Sequence, residues 1–179
     1  MKINKIFEMD IHDGMKEEIQ SLLSECFQPD YPTSRIYYKQ LPHARVLALN
    51  EEGVLVGHAG LDYRVMNVND TPVRVLGIID LCVAPRYRSQ GIGSRILLEV
   101  ESFCQNRKVD FLLLFADQKG LYERNGFSSA HNKCRWLKIN DQNQTTIGIG
   151  YEYIEELMIK EVGEREWPNG DLDFLGYLY

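Results

Sequence analysis

The sequence predicts an α/β fold of the α+β kind, a mixed central β-sheet flanked by helices. Three observations carry this expectation. The apolar run Val75-Leu76-Gly77-Ile78-Ile79-Asp80-Leu81-Cys82-Val83 feeds a glycine-bearing turn, and the turn opens the amphipathic stretch Gly91–Asn106, where Ile92, Ile96, Val100 and Phe103 recur at helical spacing. A second apolar run, Asp110–Asp117, has the composition of a strand buried on both faces. Elsewhere strands follow strands without a helix between them, so strict alternation is broken and the sheet should be mixed.

The elements follow in order. Met1–Met9 alternates as a strand. Asp13–Phe27 reads as a helix, with Met15, Ile19, Leu22, Leu23 and Cys26 on one face and Asp13 placed as its N-cap. Gln28–Ser34 holds two prolines and reads as a loop, and Arg35–Leu41 as a short second helix. Arg45–Asn50 and Val54–Met66 form a hairpin around Glu51-Glu52-Gly53. Asn69-Asp70-Thr71-Pro72 turns into the long strand Val73–Val83. After the strand at Asp110, a short helix from Gly120 ends at the C-terminal glycine Gly126. Ala130–Ile139 is a strand, Asp141–Thr146 a polar connection and Gly150–Val162 one further strand-like segment. The acidic, aromatic tail Gly163–Tyr179 is expected to cover a sheet edge, with Trp167, Phe174, Tyr177 and Tyr179 as packing groups.

Bulk properties narrow the function. A chain of 179 residues with 44% hydrophobic residues fits one packed domain spanning 1–179. No apolar run reaches membrane-spanning length, and the N-terminus lacks the apolar core of a signal peptide, so a cytoplasmic protein without a membrane partner is expected. A net charge of −6 argues against nucleic acid, which needs a basic face. It suits a cationic small molecule, and equally ordinary solubility. The four cysteines and four histidines show no paired metal spacing, so no metal is expected, and the cysteines read as small core hydrophobes.

The turn Arg88-Ser89-Gln90-Gly91-Ile92-Gly93-Ser94 carries the chemistry. A helix N-terminus presents backbone N–H groups without intrahelical partners beside the positive end of the dipole, which is a site for a phosphate. Gly91 and Gly93 allow close approach, and Arg88 adds a forked cation. The P-loop lysine is missing, and Ile96 stands where the dinucleotide fingerprint needs its third glycine. What remains, Arg-x-x-Gly-x-Gly after a strand, resembles the acetyl-CoA pyrophosphate loop of the GNAT (Gcn5-related N-acetyltransferase) superfamily. A second motif in the right order, Tyr122-Glu123-Arg124-Asn125-Gly126-Phe127, resembles the family's Tyr-x-x-x-Gly-Phe helix. The resemblance covers roughly Met15 to Ser129.

The resemblance implies the GNAT fold, with parallel strands Val73–Val83 and Asp110–Asp117 splaying apart to admit pantetheine. It implies a CoA-binding core at about 73–129 and an acceptor-side segment at about 145–179. Backbone groups of Leu81, Cys82 and Val83 would pair with pantetheine. Arg88, Ser89, Gln90, Gly91, Ile92, Gly93 and Ser94 would surround the pyrophosphate, and Tyr122 would protonate the leaving sulfur. Asp80 is the candidate base. Many relatives carry an acid one residue earlier, where this chain has Ile79, so Asp80 serves only if a bulge restores its face. Asp117 and a route to solvent are the alternatives.

Three stretches resemble the aminoglycoside 2′-N-acetyltransferases and, more distantly, the nodulation acyltransferases: Phe27-Gln28-Pro29-Asp30-Tyr31, His58-Ala59-Gly60-Leu61, and Trp167-Pro168-Asn169-Gly170-Asp171. By that resemblance Asp30, Asp117 and Asp171, with Asp173, would meet the acceptor. Leu172–Tyr179 run on beyond the point where those enzymes end, so a carboxylate on the tail would have to take the place of a terminal one. The expected function is acetyl-CoA-dependent N-acetyl transfer, without metal, to a small cationic or amino-sugar amine. The alternatives are acetylation of a protein or peptide, and a non-catalytic acyl-CoA-binding module. A homodimer is compatible with either.

Overall fold

A computed structural model describes residues 1–29 and 31–179. The backbone gathers into two compact units, Met1–Asp62 with Ile78–Phe103, and Tyr63–Gly77 with Cys104–Tyr179. The elements are those of a mixed α/β fold, a mixed sheet with helices beside it.

In the first unit, β1 (Lys2–Phe7) runs antiparallel to β2 (Ala44–Leu49), and β2 runs antiparallel to the first part of β3 (Leu55–Val68). α1 (Asp13–Phe27) has the bounds its periodicity predicts, and it buries Ile19, Leu22 and Leu23 against Leu47, Leu55 and Cys82. Burying three such side chains contributes on the order of 5–9 kcal/mol before entropy is counted. The cap differs from the sequence reading. His12 is extended and its Nδ1 accepts from the Met15 N–H at 3.3 Å, while Asp13 sits in the first turn, where its charge favours the dipole. Arg35–Leu41 is not helical. The segment lies between Pro32 and Pro42, too short to overcome helix nucleation. The Arg35 side chain instead donates to the carbonyls of Tyr37 and Tyr38, each at 3.0 Å. β4 (Thr71–Val83) ends in this unit, and a 3-10 turn at Pro85–Tyr87 leads to α2 (Ile92–Cys104).

In the second unit, the first part of β4 pairs in parallel with β5 (Phe111–Phe115) at Val75↔Phe111, Leu76↔Leu112 and Gly77↔Leu113, and β4 continues beyond this stretch to Val83. α3 (Gly120–Arg124) follows, then β6 (Ser128–Ser129), β7 (Lys133–Ile139), β8 (Thr146–Tyr153), β9 (Leu157–Glu161) and β10 (Leu172–Tyr177). The segment read as one strand, Gly150–Val162, is thus two. The chain turns at Ile154–Leu157, where the adjacent carboxylates Glu155 and Glu156 favour water over a ladder position. β9 pairs antiparallel with β5 and with β6.

The tail is not an edge cover. β10 lies inside the sheet, antiparallel to β3 at Leu172↔Val68 and parallel to β7 at Leu172↔Cys134. Leu172 and Phe174 are fully buried there with Val68, Phe111 and Trp136, and that apolar gain is what places the strand. Trp167 stands edge-on to Phe111 and donates its Nε1–H to Asn132 Oδ1 at 2.7 Å. Asn132 in turn donates to the carbonyls of Gly170 (2.7 Å) and Pro168 (3.3 Å). The Trp-x-x-Gly stretch therefore clamps the approach to β10.

Candidate active site

The turn after β4 is built to approach an anion. Ser89 and Gly91 take left-handed φ values of +61° and +77°, which aims successive N–H groups toward one side. A Cβ placed on Gly91 would meet nothing within 4 Å, so the space above this glycine is open to a ligand. Arg88 is exposed beside it, held by a bond from its Nε to the Val83 carbonyl at 3.1 Å. Gln90 bonds back to the Arg86 carbonyl at 3.4 Å. Open backbone donors, a cation and the start of α2 fit the pyrophosphate of acetyl-CoA.

Upstream of that turn, β4 carries a local break at Asp80, whose φ is +50°. A left-handed aspartate costs about 1–2 kcal/mol and persists only where its surroundings hold it. Two contacts do so. His58 Nδ1 bonds to the Asp80 carbonyl at 2.9 Å. A carbonyl only accepts, so Nδ1 carries the proton, and Nε2 accepts from Arg45 Nη1 at 2.9 Å. Arg45 is itself fully buried and spends its other donors on Glu8 (2.6 and 3.1 Å) and on the Ile36 carbonyl (2.7 Å). Burial, and then the Arg45 charge, push the His58 pKa down to about 3, so the ring is neutral at physiological pH. A Cβ on Gly60 of β3 would lie 2.6 Å from Ile79 Cγ1, so the close approach of β3 to the residue before Asp80 requires glycine.

The Asp80 carboxyl is half-buried and accepts from the Tyr31 hydroxyl at 2.8 Å. Burial raises its pKa above the ordinary carboxylate range, against that hydrogen bond and the Arg45 and Lys39 charges. Tyr31 is buried, stacked on Phe27 at 5.8 Å, and its phenol is pushed far up by burial and by Asp80. It remains a donor.

Tyr31, His58 and Arg45 are the site residues that the sequence reading did not assign. His58 and Tyr31 lie in stretches that carry the resemblance, whose named candidate, Asp30, lies outside the described residues. The signal for Arg45 was a charge inside an apolar strand. Leu81 and Val83 flank the buried Cys82 at the end of β4.

The other candidates belong to the second unit. Tyr122 on α3 is half-buried, edge-on to Phe127 at 6.0 Å, and Gly126 at φ +84° ends its helix as expected. Asp117 is exposed after β5. Asp171 accepts from the Tyr151 hydroxyl, and both line a 450 Å³ cavity with Asp70, Asp173 and Arg135. Among the described residues there is no cluster of ligating side chains that could hold a metal. No helix among them is long and apolar enough to cross a membrane.

The comparisons agree with this geometry. Residues 10–130 match the family model described as Acetyltransferase (GNAT) domain. The fold is similar to that of the GNAT family N-acetyltransferase YhbS from Escherichia coli, solved in complex with CoA, at TM-score 0.69 and 17% identity over 96% of this chain and 88% of that one. It is similar to an aminoglycoside 6′-N-acetyltransferase complexed with coenzyme A, at TM-score 0.62 and 16% identity over 93% and 99%. Tetrahymena GCN5 matches at TM-score 0.59 and 15% identity over 93% and 99%. Other matching structures are longer, and the chain spans about a third of their length. A glycine turn with open space at a helix start, a strand with a left-handed aspartate leading to it and a match over residues 10–130 converge on one conclusion: the chain belongs to the GNAT acetyltransferase family and is an acetyl-CoA-dependent N-acetyltransferase.

Proposed function

We propose that the chain moves an acetyl group from acetyl-CoA to the primary amine of a small cationic or amino-sugar acceptor, by direct attack in a ternary complex. The observation that carries the mechanism is the Asp80 carboxyl, half-buried on a left-handed residue of β4, bonded to Tyr31 and raised in proton affinity. An amine is protonated at neutral pH and must lose a proton before it attacks. Asp80 is the base that takes it. The Tyr31 bond engages Oδ2, and Oδ1 is the oxygen assigned to the incoming proton. Backbone groups of Leu81, Cys82 and Val83 hold the pantetheine arm, and the turn Arg88–Ser94 holds the pyrophosphate. Acetyl-CoA, when bound, supplies the activated acyl group. Tyr122 donates its hydroxyl proton as the thiolate departs, since the two groups have comparable basicity.

Several features support the acceptor class. The net charge is −6, and Asp70, Asp171 and Asp173 face a single arginine around the cavity of the second unit. The resemblance of the Asp30, His58 and Trp167 stretches to aminoglycoside 2′-N-acetyltransferases points the same way. The family match draws on segments of both compact units, which supports one catalytic domain over 1–179, with the acceptor side at about 145–179.

The test is a CoA-release assay over aminoglycosides, polyamines, amino sugars and peptides, run on wild type and Asp80→Asn. Small polycationic amines should turn over best. Asp80→Asn should lower kcat by about 100-fold or more and remove the acidic limb of the kcat/KM profile, while acetyl-CoA affinity stays the same. An unchanged acidic limb would remove Asp80 as the base, and turnover confined to peptides would overturn the acceptor class.

A further inference from the structure

Two of the four cysteines meet beside the cofactor turn. Cys26, on the last turn of α1, donates its thiol to the Val83 carbonyl at 3.5 Å. Arg88 donates to that same oxygen at 3.1 Å, so thiol and guanidinium share one acceptor. Cys82, the residue before Val83, is buried in the same packed cluster as Cys26, which is itself half-buried. Hydrogen bonding with Cys82, followed by hydrogen bonding and charge from Arg88, lowers the Cys26 thiol to about 7 against the cost of its burial. The Cys82 thiol goes the other way, raised by its hydrogen bond with Cys26 and by burial. The pair thus sets a half-buried Cys26 thiol biased toward the thiolate near a buried Cys82 thiol biased toward its protonated form, the pattern of an attacking and a resolving cysteine. Cys134 lacks a cation, and burial alone pushes it up to about 12.

We propose that Cys26 and Cys82 form a redox-sensitive dithiol beside the cofactor turn, a modification site for small disulfides such as oxidised glutathione. The Cys26 thiolate attacks one sulfur of the small disulfide. A Cys26–glutathione disulfide forms, the original S–S bond breaks, and one glutathione leaves as thiolate. Cys82 gives its proton to that thiolate and attacks the Cys26 sulfur, and the second glutathione leaves and takes a proton from solvent. Two protein thiols are oxidised to one disulfide, and one small disulfide is reduced to two thiols. The proposal rests on the reading of Cys82, Val83 and Arg88 as acetyl-CoA contacts. Because the same residues serve both events, modification and acetyl-CoA binding oppose one another, each weakening the other equally.

The full chain is incubated with oxidised glutathione, with and without saturating acetyl-CoA, and followed by intact mass and peptide mapping. A Cys26–Cys82 disulfide is expected. Cys82→Ser and Cys82→Ala should each stop at the glutathione adduct on Cys26, and Cys26→Ser should give neither product. Acetyl-CoA should slow modification by about tenfold or more, and alkylation of Cys26 should titrate near pH 7. Equal reaction at Cys104 or Cys134, or titration of Cys26 in the ordinary thiol range, would overturn the dithiol. Full reactivity in the presence of acetyl-CoA that calorimetry shows to be bound would overturn its place beside the cofactor turn. Failure of acetyl-CoA to bind at all would instead strike the reading of the turn and leave the thiol chemistry standing.

Discussion

At the scale of single residues, His58 shows how one buried ring sets the conformation of a neighbouring strand. Its tautomer is fixed from both sides, by the Asp80 carbonyl and by Arg45. The same burial makes it a stability switch. Unfolded, the ring titrates near 6.5, and folded, near 3, so the unfolded chain binds the extra proton between those values. His58 therefore contributes stability in full above about pH 6.5 and loses it as pH falls toward 3, at about 1.4 kcal/mol per pH unit. Asp80 acts with the opposite sign. Its raised carboxyl binds a proton more readily when folded, so it adds stability as pH falls. Urea denaturation across that range should show a flatter acid limb for His58→Gln than for wild type, and a steeper one for Asp80→Asn. A slope unchanged in His58→Gln would mean that the ring is protonated in the folded state. At Tyr122, replacement by Phe keeps the ring against Phe127 and removes the donor. Turnover should fall by about 100-fold with acetyl-CoA affinity nearly intact, and wild-type turnover would leave Tyr122 a packing residue.

At the scale of elements, the turn between β4 and α2 depends on a backbone shape. Gly91→Val puts a β-branched side chain at φ +77° and into the space left open for a ligand. Acetyl-CoA binding by calorimetry should weaken by about 1–3 kcal/mol in the folded variant, and unchanged affinity would take the turn out of the site. This turn was legible because its glycines and its strand-to-helix setting are written in the residues themselves. α1 was legible for the same reason: its apolar period survives any tertiary context. The break at Asp80 was not. Alternation along β4 is interrupted by the run Leu76–Ile79, and a left-handed Asp80 is imposed by His58 and Tyr31, which come from other elements. Arg45 reads as an odd charge in a strand until Glu8, 37 positions earlier, turns out to be its partner. The tail misled for a related reason. Its aromatics signal burial, but whether a strand lies at an edge or inside a sheet depends on what pairs with its far side.

At the scale of the whole chain, that interior strand is a stability determinant. Phe174 on β10 is fully buried against Phe115 and Tyr179. Phe174→Ala should cost about 3–5 kcal/mol in urea denaturation, and a loss under about 1 kcal/mol would mean that the site collapses around the gap. The position of β10 also constrains synthesis. It is translated after both strands it joins, more than a hundred residues after Val68 and nearly forty after Cys134. While the ribosome is still short of Leu172, β3 and β7 each have one unsatisfied flank. Pairing across such a sequence gap is slow, and open flanks recruit neighbouring chains. The nascent protein thus passes through an interval of adhesiveness that ends only when β10 slots between two strands that have been waiting for it.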